Sequence, residues 1–264
     1  MAWTQRSFDR RGFAKLFGGI AAVGCSCGAA LAQQPGEKTR PVLGVEKSLK
    51  SHALEMGADI IQSKDPINAI NMYLNGFHFY ADDMGRQIEA HHYCAHLNDE
   101  FFQCVIYDGN GADARLIGIE YIVSERVFKA FPQEEKNLWH SHRHETTAGE
   151  LMMPGIPETV EHTAIATLVN TYGKTWHTWQ IDKDAALPMG IPQLMMGFTA
   201  DGQLSQQMIS DRDRRLETNT MDIKKGRADL ARTAGPVVEG ADAWQSGQTK
   251  QLALSDVSVK SLKK

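Results

Sequence analysis

Two β-rich runs joined by a short polar turn constrain the fold of this chain more than any other feature. The first run is QIEAHHYCAHL (87–97), the second is FFQCVIYDG (101–109), and Asn98-Asp99-Glu100 lies between them. Aromatic and β-branched residues favour strands, whereas Asn and Asp favour turns. The pattern therefore predicts an antiparallel hairpin with a three-residue loop.

This hairpin places two cysteines opposite each other. With residues 98–100 as the loop, Cys94 on the first strand faces Cys104 on the second. An even pair of cysteines in an oxidising compartment favours a disulfide. A free buried pair, a metal-binding pair and a redox-sensing pair remain open as alternatives.

The remaining segments combine helices with further strands. Their patterns predict helices over residues 46–63, 132–139, 157–172 and 210–232, and strands over residues 115–123, 174–182 and 193–202. Pro157 opens the helix over residues 157–172, and Gly173 has the position of a glycine that ends one. Strands grouped apart from helices predict an α+β fold, with an antiparallel sheet and packed helices in a single domain.

The first 32 residues have the composition of an export signal. A twin-arginine pair, Arg10-Arg11, precedes an apolar run that ends in Ala30-Leu31-Ala32. This order predicts a bacterial signal of the twin-arginine type, cleaved before Gln33, and a periplasmic or secreted protein. Cleavage before Cys25, which would leave a lipid-anchored protein, is the alternative.

Four regions are predicted along the chain. Residues 1–32 form the signal, residues 33–45 a flexible entry segment and residues 46–200 the α+β domain. Residues 201–264 form a charged helix followed by a loosely ordered tail over roughly the last thirty residues.

Charge excludes some classes of partner. The chain has a formal net charge of −4 at pH 7. The signal carries four basic residues and one acid, so the mature chain would be near −7. An acidic protein is a poor candidate for binding nucleic acid. After the signal, no apolar run approaches the roughly 20 residues of a transmembrane helix, so we expect a soluble mature protein.

Histidines at every second position mark a candidate site. The stretch LWHSHRHETTAGE (138–150) contains His140, His142 and His144. Alternate residues of an extended strand share one face, so an extended conformation would project all three imidazoles together.

The first hairpin strand offers a second set of imidazoles, because His92 and His96 flank Cys94 on one face. The two sets could converge on a divalent transition metal, since neutral imidazole suits zinc, copper, iron and nickel. Glu145 could complete the coordination shell or act as a general base. The predicted metal ligands are His92, His96, His140, His142 and Glu145. A polar network without metal is the alternative, and the chain lacks HExxH, G-x-S-x-G and phosphate-loop motifs.

Four segments then match a known family in order along the chain. They are HHYCAHLNDEFFQCVIYDGNGADARLIGIEYIVSERVF (91–128), LWHSHRHE (138–145), TYGKTWHTWQID (171–182) and LPMGIPQLMM (187–196). Over about residues 45–200 the chain closely resembles the oil body-associated protein family, whose bacterial and fungal relatives are described as a domain of unknown function. The typical blocks of that family fall on His91, His92, Tyr93, Cys94, Cys104, His140, His142, Glu145, Tyr172, Gly173, Lys174, Trp176 and Trp179.

The resemblance implies association with seed oil bodies and no established reaction. The export signal departs from the family pattern, as does His144, which lies beyond the usual HSH element. We therefore expect an exported, non-catalytic protein with a peripheral lipid or envelope role and a His-rich polar site. A metal-dependent periplasmic enzyme with Glu145 as its base is the alternative.

Overall fold

The hairpin predicted from the sequence is present. In the computed structural model, which describes residues 42–261, strand β2 (Asp83–Asn98) pairs antiparallel with strand β3 (Phe101–Tyr107). The predicted register is confirmed, because Cys94 lies opposite Cys104 and the two form a disulfide. Both cysteines are buried.

Eight strands and nine α-helices are described. The other strands are β1 (Met72–Tyr80), β4 (Leu116–Ser124), β5 (His140–Ser141), β6 (Thr171–His177), β7 (Gln193–Met196) and β8 (Glu239–Asp242). The helices are α1 (Leu49–Ile61), α2 (Asp65–Asn68), α3 (Glu125–Lys129), α4 (Gln133–Lys136), α5 (Arg143–Thr147), α6 (Glu158–Leu168), α7 (Gln206–Arg215), α8 (Thr220–Gly226) and α9 (Ala228–Thr233). No helix within residues 42–261 is long and apolar enough to cross a membrane.

The antiparallel sheet closes into a six-stranded barrel, which the predicted fold class did not include. The strands follow the order β4-β3-β2-β1-β7-β6, and β6 pairs again with β4. This last pairing runs from Gly118 opposite His177 to Ser124 opposite Thr171. Closure turns one face of every strand towards a common interior, where alternate side chains meet.

Two short strands share the second edge of β6. Strand β7 pairs with residues 175–177, whereas β5 pairs with Tyr172 and Gly173. Strand β5 therefore continues the line of β7 and inserts His140 into the barrel wall.

Two local predictions around the histidine strip are wrong. The chain is extended only over His140–Ser141, and helix α5 begins at Arg143 with His142 as its N-cap. The hydroxyl of Thr146 donates to the carbonyl oxygen of His142 and helps to close this turn. His144 therefore points away from His140 and His142. Gly173 does not end a helix, because α6 stops at Leu168 and Gly173 lies within β6.

The region after residue 200, predicted as a charged helix and a tail, packs on the barrel. The single helix predicted over 210–232 is three helices, because the side chain of Asn219 caps a new one. Arg212 and Arg227 are buried and donate to backbone carbonyl oxygens between Thr146 and Leu151. They thereby hold the turn that follows α5.

Part of the predicted loose tail also contacts the barrel. The ring of Trp244 packs edge-on against Phe79, and the side chain of Gln251 bonds both backbone groups of Leu194. Residues 252–260 are exposed. The predicted export signal and most of the entry segment lie outside the described residues.

The disulfide generates a first prediction. A link between Cys94 and Cys104 closes a short loop, so its reduction should lower the free energy of unfolding by about 2–3 kcal/mol. Urea denaturation with and without reductant measures the difference. The Cys94→Ser/Cys104→Ser double variant is the control, and reductant should leave its midpoint unchanged.

Mass spectrometry tests the same bond directly. The tryptic peptide of residues 87–115 contains both cysteines. It should take up thiol alkylating reagent only after reduction. Alkylation of the unreduced, unfolded protein at both positions would contradict the disulfide.

Candidate metal centre

The inward faces of four barrel strands, together with β5, bring histidines to one buried position. They contribute His78 from β1, His92 from β2, Glu120 from β4, His140 from β5 and His177 from β6. His142, next to β5, joins them, and all six residues are buried. The interior of the barrel therefore contains five imidazoles around one carboxylate.

This polar group lies between two apolar layers. Leu74, Cys94 and Ile122 belong to one apolar cluster, whereas Tyr80 and Ala90 belong to another. Along β1 and β2 the histidines come between members of the two clusters, since inward residues alternate. Apolar residues thus separate the histidines from both ends of the barrel.

The two oxygens of Glu120 face different histidines. Its Oε1 lies 3.1 Å from Nε2 of His142 and 3.4 Å from Nε2 of His140. Its Oε2 lies 2.9 Å from Nε2 of His92 and 3.8 Å from Nε2 of His78. Each oxygen therefore has two imidazole nitrogens around it.

The absence of a side chain at Gly173 leaves an open space beside Oε1 of Glu120 and its two histidines. A Cβ atom at this position would lie 2.7 Å from Nε2 of His142 and 2.8 Å from Nε2 of His140, and closer still to Oε1 of Glu120. All three atoms are potential metal ligands. Three donor atoms thus converge on a space that only glycine keeps free.

Hydrogen bonding fixes the tautomer of His142. The hydroxyl of Thr171 donates its single proton to the carbonyl oxygen of Leu168, so it can only accept from Nδ1 of His142, 2.8 Å away. Nδ1 of His142 therefore carries a proton. Nε2 of His142 lies within hydrogen-bond distance of Oε1 of Glu120, and in a neutral ring its lone pair would face the carboxylate, so either a proton or a metal ion lies between the two atoms.

Other ring nitrogens lack partners. Among the described residues, neither nitrogen of His92 or of His140 makes a hydrogen bond, and the same holds for Nδ1 of His177. Nδ1 of His78 lies 3.3 Å from Nε2 of His177, so these two share one proton. Buried polar atoms without partners are costly and call for an explanation.

Burial and contacts shift the pKa values of several of these groups. Burial lowers the pKa of His78, His142 and His177, for His177 to about 3. Burial alone would raise the pKa of Glu120, but its contacts with His140, His142 and His92 hold that pKa well below its usual range. The lowered pKa values favour a carboxylate at Glu120 and neutral imidazoles at His78, His142 and His177, which are the forms that bind metals.

Glu145 has the opposite character. Burial raises its pKa well above the usual range, and the nearby charges of Glu120 and Glu150 add to this effect. A Cβ on Gly197 would lie 2.5 Å from Oε2 of Glu145 and 2.9 Å from Cδ2 of His140, so the two side chains are neighbours. The raised pKa favours a protonated carboxyl group at Glu145, beside the cluster.

One predicted metal ligand, His96, lies elsewhere, as do His144 and the two cysteines. His96 is exposed and stacks on Phe102, with 4.1 Å between ring centroids, because it lies near the end of β2. His144 faces Glu150 at 3.3 Å. The sulfurs of Cys94 and Cys104 are bonded to each other and are not ligands in this state.

Sequence reasoning missed His78, Glu120 and His177. Glu120 is the single acid in the apolar strand IGIEYIV (117–123), and a charge on the inward face of such a strand is a signal for a buried site. His78 lies in β1, which the sequence patterns did not predict. His177 directly follows Trp176 in the segment TYGKTWHTWQID (171–182).

Comparisons with known proteins identify the family. A family described as a protein of unknown function (DUF1264) matches residues 64–231. Oil body-associated protein 1B of Arabidopsis thaliana is 42% identical over 228 residues, which cover 86% of this chain and 90% of the relative. Oil body-associated protein 1A of Zea mays is 49% identical over 183 residues, which cover 69% and 76%.

A third relative extends the match to another subgroup. Oil body-associated protein 2C of Arabidopsis thaliana is 36% identical over 219 residues, covering 82% of this chain and 92% of the relative. No solved structure matches the chain. From these matches, the chain belongs to the oil body-associated protein family, the DUF1264 proteins of unknown function.

Proposed function

We propose that this protein binds a transition-metal ion inside its barrel, with Oε1 of Glu120 and Nε2 of His140 and His142 as ligands. The observation that carries the proposal is the convergence of these three donors on the open space at Gly173. Zinc, copper, iron and nickel suit a site of imidazoles and one carboxylate.

Thr171 supports this role from behind the ligand. Its hydroxyl holds the Nδ1 proton of His142, which leaves Nε2 available to a metal. A metal-binding histidine commonly donates a hydrogen bond from the N–H of its second ring nitrogen, and the acceptor of that bond orients the ring. The fixed tautomer is the one that a ligand at Nε2 requires.

A catalytic version of the proposal would use Glu145. Its carboxyl group lies beside His140, and its raised pKa would suit a general acid or base if a metal were bound there. The side chains of Glu120, His140 and His142 are at most 4% exposed, so a substrate could reach them only if the surrounding chain moved. Metal binding is therefore the proposed function, and a metal-dependent enzyme is the alternative.

The metal proposal predicts a graded effect at Thr171. Thr171→Val removes the acceptor for Nδ1 of His142 and should weaken zinc binding by about 10–100-fold. Thr171→Ser keeps the hydroxyl and should bind zinc like the wild type. Thr163→Val, which removes a hydroxyl on the exposed face of α6, is the matched control.

Competition titration against a zinc chelator measures these affinities on protein purified without a histidine tag. Wild-type protein should also melt at a lower temperature after chelation. Absence of stoichiometric metal, together with a melting temperature that chelator does not change, would remove the proposal.

We propose peripheral lipid association as a second function, because α1 exposes an apolar surface. Every residue of α1 is exposed or half-buried. Leu49 is 89% exposed, and Ile60 and Ile61 are each 83% exposed. The names of the relatives place those proteins at oil bodies. An exposed apolar helix of this kind suits insertion into a lipid surface.

Vesicle flotation tests this role. Changing Leu49, Ile60 and Ile61 together to Gln should reduce binding to phosphatidylcholine vesicles by about tenfold or more, because the contact is apolar. The matched control changes Leu254, Val257 and Val259 to Gln, which are 83%, 82% and 72% exposed. Equal binding by both triple variants would contradict a role for α1, and no flotation of wild type would contradict lipid binding.

We also propose export to the periplasm or beyond, with lipid attachment through Cys25 as the alternative. The proposal rests on the sequence of residues 1–32, and the disulfide between Cys94 and Cys104 supports an oxidising compartment. Mass spectrometry of protein from a bacterial periplasm should find Gln33 at the N-terminus. An uncleaved protein that stays in the cytoplasm would contradict export.

A further inference from the structure

We infer that the barrel interior holds two metal ions, bridged by the carboxylate of Glu120. The inference rests on the proposed metal site at Oε1 of Glu120. It adds a second ion at Oε2, with His78 and His92 as the additional ligands.

The donor set at Oε2 repeats the composition of the set at Oε1. Nε2 of His92 and Nε2 of His78 approach Oε2 to 2.9 Å and 3.8 Å. The ligand atoms of His78, His92 and Glu120 lie within 4.8 Å of one another, as do those of Glu120, His140 and His142. Each oxygen of Glu120 thus forms, with the two imidazoles near it, a set of three ligands for one ion.

Protein hydrogen bonds do not account for the geometry at Oε2. Although Nε2 of His92 is near Oε2, neither ring nitrogen of His92 has an aligned hydrogen bond among residues 42–261. The ring is held in place by the barrel and directs a nitrogen at the carboxylate. A cation between Nε2 and Oε2 would supply the missing interaction.

His177 has a supporting position in this second set. Its Nε2 can accept the Nδ1 proton of His78, 3.3 Å away, which leaves the lone pair of Nε2 of His78 facing Oε2. This arrangement parallels that of Thr171 behind His142. Each proposed ion therefore has one histidine ligand whose second ring nitrogen is hydrogen-bonded to a neighbouring side chain.

A carboxylate that bridges through its two oxygens suits a pair of ions about 3.5–4 Å apart, the separation common in two-metal sites. Two divalent ions bring four positive charges to one buried carboxylate, and uncompensated buried charge is costly. The second ion should therefore bind more weakly than the first.

Stoichiometry tests the inference and separates it from the proposed function. Full-length protein without a tag is stripped of metal, dialysed against Zn²⁺ and subjected to elemental analysis. We expect two zinc ions per chain in the wild type and one in both His78→Gln and His142→Gln. His162→Gln, which changes a histidine paired with Asp229 on the surface, should retain two.

The alternative outcomes have distinct meanings. One ion in the wild type that His142→Gln abolishes would overturn the inference and leave the proposed function intact. Two ions that His78→Gln does not reduce would also overturn it, since the second ion would lie elsewhere. No bound ion would overturn both the inference and the proposed function.

A measurement on wild-type protein covers the case in which a variant does not fold. Titration with Cu²⁺ should give a paramagnetic resonance signal that grows to one equivalent and then weakens or broadens as a coupled pair forms. A signal that doubles without broadening at two equivalents would contradict a carboxylate-bridged pair.

Discussion

The pairing of β4 with β6 closes the barrel, and the candidate site depends on this closure. It places Glu120 opposite Thr175 and within reach of the space at Gly173. It also leaves the second edge of β6 for β5, so that His140 and His142 reach the same carboxylate. The carboxylate of Glu120 thereby reaches His78 of β1 and His92 of β2.

Burial of so many polar groups has a cost that the fold must offset. A buried carboxylate and buried imidazoles destabilise a protein unless each is paired. The apolar layers on either side and the cross-linked hairpin supply the stability that such an interior requires. Two buried arginines hold the turn after α5 and thereby the neighbourhood of His142 and Glu145. The structure thus maintains a polar centre that packing alone would not favour.

Local patterns predicted part of this structure. The hairpin, its register and the opposed cysteines follow from alternation and a three-residue turn, because all the partners are close in sequence. The helix over 46–63 and the start of α6 are also set locally. Closure of the barrel could not be predicted in this way, since it pairs β4 with a strand about fifty residues away and leaves no local signature.

The candidate site was also predicted only in part, because some of its residues have local signals and others depend on long-range strand pairing. The HSH element and His92 were found because histidines are rare and conspicuous in strands. The prediction of an extended strip was wrong at His144, because residues 143–147 form helix α5 and Thr146 bonds back to the carbonyl oxygen of His142. Glu120 was missed because its role depends on which face of β4 is enclosed. The interpretation of Gly173 as a helix end was wrong for a related reason, since its small size serves the space beside Glu120.

The central claim is that Glu120 and the surrounding imidazoles form a metal centre inside the barrel. Anomalous X-ray diffraction from crystals of zinc-loaded protein, recorded on both sides of the zinc absorption edge, tests it most directly. The account predicts an anomalous peak inside the barrel, within coordination distance of Oε1 of Glu120 and Nε2 of His142. Zinc peaks confined to surface histidines such as His96 and His162, with none in the interior, would contradict it.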